Sequence, residues 1–227
     1  MQGRDLHRWD LEPDEARSVQ RELAGRVRLT GLDHRPKLIA GVDVAYDDPR
    51  SQAVAAAVVL DAETLEVVEQ AVAVVPCSFE YIPGLLSFRE APAVIAALER
   101  LSVDPDVIVG DGHGIAHPAR FGLASHLGLL LDRPTIGCAK NWLSGEAAGE
   151  LGPDRGDRVA LIDSGETVGW ILRTRAGVKP VFVSPGHLVG IDECCDLVLA
   201  CAPKYRLPET TRLADQMVRR ELGRLVE

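Results

Sequence analysis

The chain predicts an α/β protein, a mixed sheet flanked by helices, from the order of its periodic segments. Three runs with strand spacing come first, at 37–44, 53–60 and 64–75. Helical and strand-like segments then alternate at 85–101, 106–110, 120–131 and 134–138. With 227 residues, 46% of them hydrophobic, the chain can bury a substantial core, and no linker or shift in composition divides it. Residues 1–227 therefore read as one domain.

Taken in order, residues 12–29 have helical spacing, with Pro13 and Asp14 at the opening turn. Residues 37–44 read as a buried strand ending near Asp43. The segments 53–60 and 64–75 are rich in Ala and Val, and the polar break between them suits an antiparallel hairpin. After a loop holding Tyr81, Pro83 and Gly84, residues 85–101 read as a helix with Glu90 in its first half, and Pro92 marks an early turn or a kink. The short apolar run 106–110, closed by Gly110, is typical of a buried parallel strand; a helix at 120–131 and a strand at 134–138 follow. Three antiparallel strands succeeded by helix and parallel-strand units resemble the ribonuclease H-like arrangement.

Composition narrows the setting. No stretch approaches the roughly 20 apolar residues a membrane span needs, and the amino terminus is polar, so a cytoplasmic protein with no membrane partner is expected. Cys77, Cys138, Cys194, Cys195 and Cys201 lack CxxC or zinc-ligand spacing and read as small buried residues. A net charge of −9 argues against a nucleic-acid partner at first sight. The carboxyl-terminal stretch is locally basic, with Lys204, Arg206, Arg212, Arg219, Arg220 and Arg224, although a solvated helix face explains that stretch as well.

Three acids stand out by placement: Asp43 within LIAGVDVAY, Glu90 in LLSFRE and Asp111 in VIVGDGHG. Each alone reads as a cap, a turn residue or a surface charge. If the first and fourth strands are neighbours, however, Asp43 and Asp111 meet near their ends and Glu90 can point to the same place. An Asp buried unpaired in so apolar a strand would cost several kcal/mol, so a cation or hydrogen-bond partner is expected there. Clustered carboxylates suggest a magnesium site and, with it, phosphodiester chemistry.

The segments GVDVAY (41–46), YIPGLLSFRE (81–90), DGHGIAHPARFGLASHLG (111–128), SPGH (184–187) and KYRLPETTR (204–212) resemble endonuclease V, the deoxyinosine-directed repair nucleases. The resemblance extends over most of the chain. It implies a ribonuclease H-like fold, Mg²⁺ as cofactor with Mn²⁺ as a substitute, and inosine-containing DNA as partner for a monomeric enzyme. The implied reaction is hydrolysis of the second phosphodiester bond 3′ to a deaminated adenine, leaving 3′-hydroxyl and 5′-phosphate ends. Asp43 and Asp111 are then metal ligands, Glu90 helps position the metal or the attacking water, and Lys140 offsets charge at the scissile phosphate. Whether one ion or two act stays open, as does the part played by Asp215.

By the same resemblance, Tyr81, Ile82, Pro83 and Gly84 form a wedge that fills the gap left by a flipped nucleotide, which an aromatic or apolar side chain can do. Backbone groups of Leu86, Gly112 and Gly122 are expected to read hypoxanthine, which differs from adenine in its carbonyl oxygen at position 6 and its hydrogen on N1. His117 is expected to contact the nucleotide or a phosphate, whereas His113, His126 and His187 read as structural or surface residues. Two positions depart from the family pattern: Glu80 precedes the wedge tyrosine where Pro is common, and Thr210 stands where Pro often does. Glu80 places a negative charge beside a DNA-facing loop. Two alternatives remain, an inosine-specific endoribonuclease and a lesion-binding protein without turnover.

Overall fold

The computed structural model describes residues 1–226, and their centre is a nine-stranded sheet. Its first three strands, β1 (Leu38–Asp47), β2 (Gln52–Asp61) and β3 (Val67–Pro76), form the expected antiparallel meander. The next two, β4 (Val107–Gly110) and β5 (Thr135–Ala139), add on the free side of β1 in parallel. The sheet then continues through four strands, β6 (Glu146–Ala147), β7 (Arg158–Asp163), β8 (Glu166–Leu172) and β9 (Val181–His187), in the order β3-β2-β1-β4-β5-β9-β8-β7-β6. Five helices, α1 (Pro13–Ala24), α2 (Leu86–Leu98), α3 (Leu123–Leu131), α4 (Glu193–Ala200) and α5 (Glu209–Val226), complete the expected mixed architecture.

Alternation along the strands sorts side chains onto two faces. Ala40, Val42, Ile108 and Ala53, Ala55 and Ala57 of β2 pack with Val94, Ala97, Leu98 and Leu127 of α2 and α3. Ile39, Val107, Val109, Ile136 and Cys138 lie on the other face and pack with Cys194, Cys195 and Val198 of α4. Four of the cysteines are buried and all five are free, as expected of small apolar residues. Among the described residues no helix is long and apolar enough to cross a membrane.

One contact sets the position of α5. Gly41 has no side chain, and a Cβ there would stand 2.1 Å from the carbonyl carbon of Thr210, so the helix start rests directly on β1. Asp43 lies two residues beyond Gly41 on the same face, about 6.7 Å along the strand. Asp215 lies five residues beyond Thr210, about 7.5 Å along the helix. The two carboxylates are thereby brought together.

Several boundaries differ from expectation. The strand of Asp43 runs on to Asp47, so this aspartate is inside a strand, opposite Ala56, rather than at its end. The first helix stops at Ala24 because Gly25 ends it, well short of residue 29. The helix expected from residue 120 begins at Leu123, because Arg120 is held at φ +52 and Gly122 is an extended N-cap. Pro92 sits midway in α2, which continues through it. The strands β6 to β9 had no counterpart in the sequence reading. One of their turns was legible, since Ser164 and Gly165 are the two left-handed residues (φ +52 and +81) of a tight hairpin joining β7 to β8.

Candidate active site

The parallel register places Val42 beside Gly110 and Gly110 beside Gly137. Asp43 follows Val42 within β1, Asp111 follows β4, and Lys140 follows β5. Three residues distant in sequence therefore stand at the carboxyl side of three adjacent parallel strands, the usual place for a site in such sheets. The Lys140 ammonium is ion-paired with Asp111 and lies 3.9 Å from Oδ1 of Asp215. Asp215 in turn accepts a 2.9 Å hydrogen bond from Arg219 at Oδ1, and its Oδ2 lies 2.9 Å from the Arg219 Nε in the same ion pair. Glu90, buried on α2, accepts a 2.9 Å hydrogen bond from the Tyr46 hydroxyl.

These acids act on one another. Burial, then the neighbouring charge of Asp111, pushes Asp43 up to about 7, with Lys140 pulling the other way. Burial pushes Glu90 up to about 8, opposed by the Tyr46 bond and assisted by Asp43 and Asp111. Burial would lower Lys140, but its hydrogen bond to Asp111 and the charges of Asp111, Asp43 and Asp215 outweigh it and hold the ammonium above the ordinary lysine range. The centre thus holds more negative charge than its two cations satisfy, and it takes up protons or positive charge as a result.

Among the described residues no three His, Cys, Asp or Glu side chains are gathered closely enough to enclose a metal ion. The electrostatic coupling of Asp43 and Asp111 points the other way. It carries more weight for a hard cation that keeps its waters and needs only one or two carboxylates. Asp43 and Asp111 are the pair able to share such an ion, with the Lys140 ammonium now lying against one of them.

Beside this centre opens a cleft of about 320 Å³, at the small end of ligand sites. Tyr81, 66% exposed, lies at its edge, and Pro83, Gly84 and Leu86 line it. Ile82 instead turns inward against Leu85, Phe88 and Ala16 and takes no part in the lining. Gly84 holds φ +84, and its carbonyl accepts a 2.8 Å bond from Gln20, whose amide also reaches the Phe121 carbonyl at 3.0 Å. Gln20 thereby ties the tyrosine loop to the segment leading into α3.

Leu86 opens α2, where first-turn N–H groups lack helical acceptors, and Gly112 lines the cleft beside Asp111. Gly122 also lines it, but its N–H donates to Gly114 and its carbonyl accepts from His126, so its backbone polar groups are already engaged. A Cβ there would stand 2.3 Å from the His113 carbonyl, and close packing is what this glycine supplies.

His117 is buried, accepts the Ala119 N–H at Nδ1 over 3.1 Å, and is held down to about 4, chiefly by burial. It is a neutral hydrogen-bonding group rather than a counter-charge for phosphate. His126 is a buried structural hub, 2.7 Å from His7 and 3.0 Å from the Ser87 hydroxyl, and His187 accepts the Arg28 N–H; both fit the structural role expected of them.

His113 differs from expectation, since it lines the cleft with its basicity lowered to about 4 by burial. The sequence reading also passed over Asn141, Trp142 and Leu143, which continue the lining from Lys140. A bulky pair of apolar residues directly after the lysine was the available signal. In the basic carboxyl-terminal stretch Lys204, Arg219, Arg220 and Arg224 are exposed, Arg224 pairing with Glu221, while the half-buried Arg212 pairs with Glu209 and Arg206 donates to the Lys140 carbonyl over 2.7 Å.

A carboxylate and lysine centre on adjacent strands of such a sheet, opening into a cleft with an exposed aromatic edge, defines an α/β nuclease. Residues 21–216 match the family model described as Endonuclease V. The chain belongs to the endonuclease V family. It is 55% identical over 216 residues to an endonuclease V of Streptomyces avermitilis, covering 94% of each chain. A crystal structure of that organism's endonuclease V superposes with a TM-score of 0.91 at 52% identity and full coverage of both chains. The endonuclease V of Ciona intestinalis, crystallised with a 24mer DNA containing an inosine followed by a ribo-adenosine, superposes at 0.82 with 27% identity, covering 93% of this chain and 98% of that one.

Proposed function

We propose that this chain is a Mg²⁺-dependent repair endonuclease that recognises deoxyinosine in DNA. It hydrolyses the second phosphodiester bond 3′ to the lesion and leaves 3′-hydroxyl and 5′-phosphate ends. The observation that carries this reading is the coupling of Asp43 to Asp111, with Lys140 against them, at the edge of a cleft of nucleotide dimensions. A divalent ion held by Asp43 and Asp111, Mg²⁺ or Mn²⁺ in its place, would supply Lewis-acid polarisation of the phosphoryl oxygen. Lys140 offsets the charge that develops on that phosphate, having strand β5 behind it and Arg206 on its carbonyl. Glu90, oriented by Tyr46, aligns the attacking water and is poised near neutrality to exchange a proton with it. Water attacks phosphorus, the bond to the 3′ oxygen breaks, and that oxygen takes a proton.

Recognition is a matter of donors and acceptors. N–H groups at the start of α2, at Leu86, suit the carbonyl oxygen of hypoxanthine and oppose the amino group of adenine. Gly112 lets backbone approach the base closely. Tyr81 on its Pro83-Gly84 loop enters the stack, and His117 supplies a neutral hydrogen bond. The Ciona relative's strand, with a ribo-adenosine after the inosine, favours inosine RNA as a second substrate to be measured beside DNA.

A strand-resolved assay on a duplex with one deoxyinosine, with Mg²⁺ and with chelator, tests the reading. A metal-dependent nick at the second bond 3′ to the lesion is expected. Retained binding with no nick on DNA and none on inosine RNA would overturn it.

A further inference from the structure

Trp142 is 48% exposed on the wall of the same cleft that Asp111, Lys140 and Tyr81 line. Its ring is not free to wander. The indole N–H donates to the Gly145 carbonyl at 3.0 Å, and the ring leans on Phe182 with centroids 6.1 Å apart and planes 37° from parallel. Gly145 holds φ +85, so the turn that supplies this acceptor depends on glycine. The one polar atom of the side chain is satisfied within its own turn and one flank is supported. What remains is an apolar surface, ordered before any ligand arrives.

Only Asn141 separates Trp142 from Lys140, at most about 7 Å of chain, so the ring stands beside the phosphate at which Lys140 acts. On the proposed cutting pattern, one nucleotide spans the distance from the lesion pocket to that phosphate. Charge offers little to hold it. The chain carries −9 overall, and the centre's cations, Lys140 and Arg219, are bound to Asp111 and Asp215. Stacking is a source of affinity that needs no positive charge and tolerates any base.

We propose that Trp142 stacks on the base of the nucleotide lying between the lesion and the cleaved bond, and so holds that nucleotide in the cleft. The inference rests on the deoxyinosine reading above, and its test separates the two. Cleavage is measured for wild type and Trp142→Ala, each on duplexes carrying either a normal base or an abasic residue at the position 3′ to the deoxyinosine. Trp142→Ala should raise KM on the normal duplex on the order of ten-fold, the range of one lost base stack, with kcat little changed. The abasic neighbour should cost wild type a similar factor and cost the variant nothing further, since both changes delete the same contact. Trp142→Phe should recover most of the loss, and unfolding midpoints should match across the variants. An unchanged KM, or a variant penalty that is the same on both duplexes, overturns the stacking role while leaving the functional reading intact. Failure of wild type to bind or nick the deoxyinosine duplex overturns the functional reading, and the stacking role with it.

Discussion

Asp43→Asn separates the catalytic value of this carboxylate from its cost to the fold. The side chain titrates at about 7 in the folded chain against an ordinary 3.8. Between those values the folded chain keeps a proton that the unfolded chain has lost, so this group's contribution to stability falls as pH rises and levels off above about 7. Three units correspond to at most about 4 kcal/mol, of which roughly 2.5 kcal/mol falls between pH 5 and pH 8. The amide cannot ionise and escapes this term. Urea unfolding in chelator at pH 5 and pH 8 should therefore show Asp43→Asn gaining on wild type by that amount at the higher pH. Mg²⁺ at pH 8 should raise the unfolding midpoint of wild type more than that of the variant, while the variant loses nicking. Parallel pH dependence of the two proteins would refute the account of a strained carboxylate pair, and equal Mg²⁺ shifts would refute Asp43 as a ligand.

Three further outcomes are expected. Lys140→Ala should lower kcat by about 10²- to 10³-fold with a smaller change in KM, as measured by single-turnover cleavage, because its charge matters most where the phosphate gains charge. Tyr81→Ala should chiefly weaken lesion recognition, and equal cleavage of the deoxyinosine duplex by the variant and wild type would count against a wedge. Gly41→Ala should destabilise the fold by several kcal/mol in thermal unfolding, because the new methyl meets backbone of Thr210 rather than a yielding side chain.

Much of the site was legible in the residues. An aspartate inside LIAGVDVAY and another closing VIVGD announce themselves because burying a charge in an apolar strand demands a partner, whatever the surrounding fold. The strand and helix order also fixes that β1 and β4 run in parallel once they are neighbours. The strands β6 to β9 were less legible, because β6 and β7 are mostly exposed or half-buried and the buried β9 ends in Ser184-Pro185-Gly186-His187, a run that reads as a turn. Their turn glycines carry more signal than their side-chain alternation.

The sequence by itself determined the acidic centre, the aromatic loop, the α/β class and the family, because each is carried by local residue chemistry or by order along the chain. Only the tertiary structure decided which neighbours tune that chemistry. Lys140 ion-pairs with Asp111, Asp215 joins through the bare backbone of Gly41, Gly122 packs closely, and Trp142 is held half-exposed on the cleft wall. These depend on distances between segments up to about 170 residues apart, and no local pattern encodes a distance that strand register and helix docking set together.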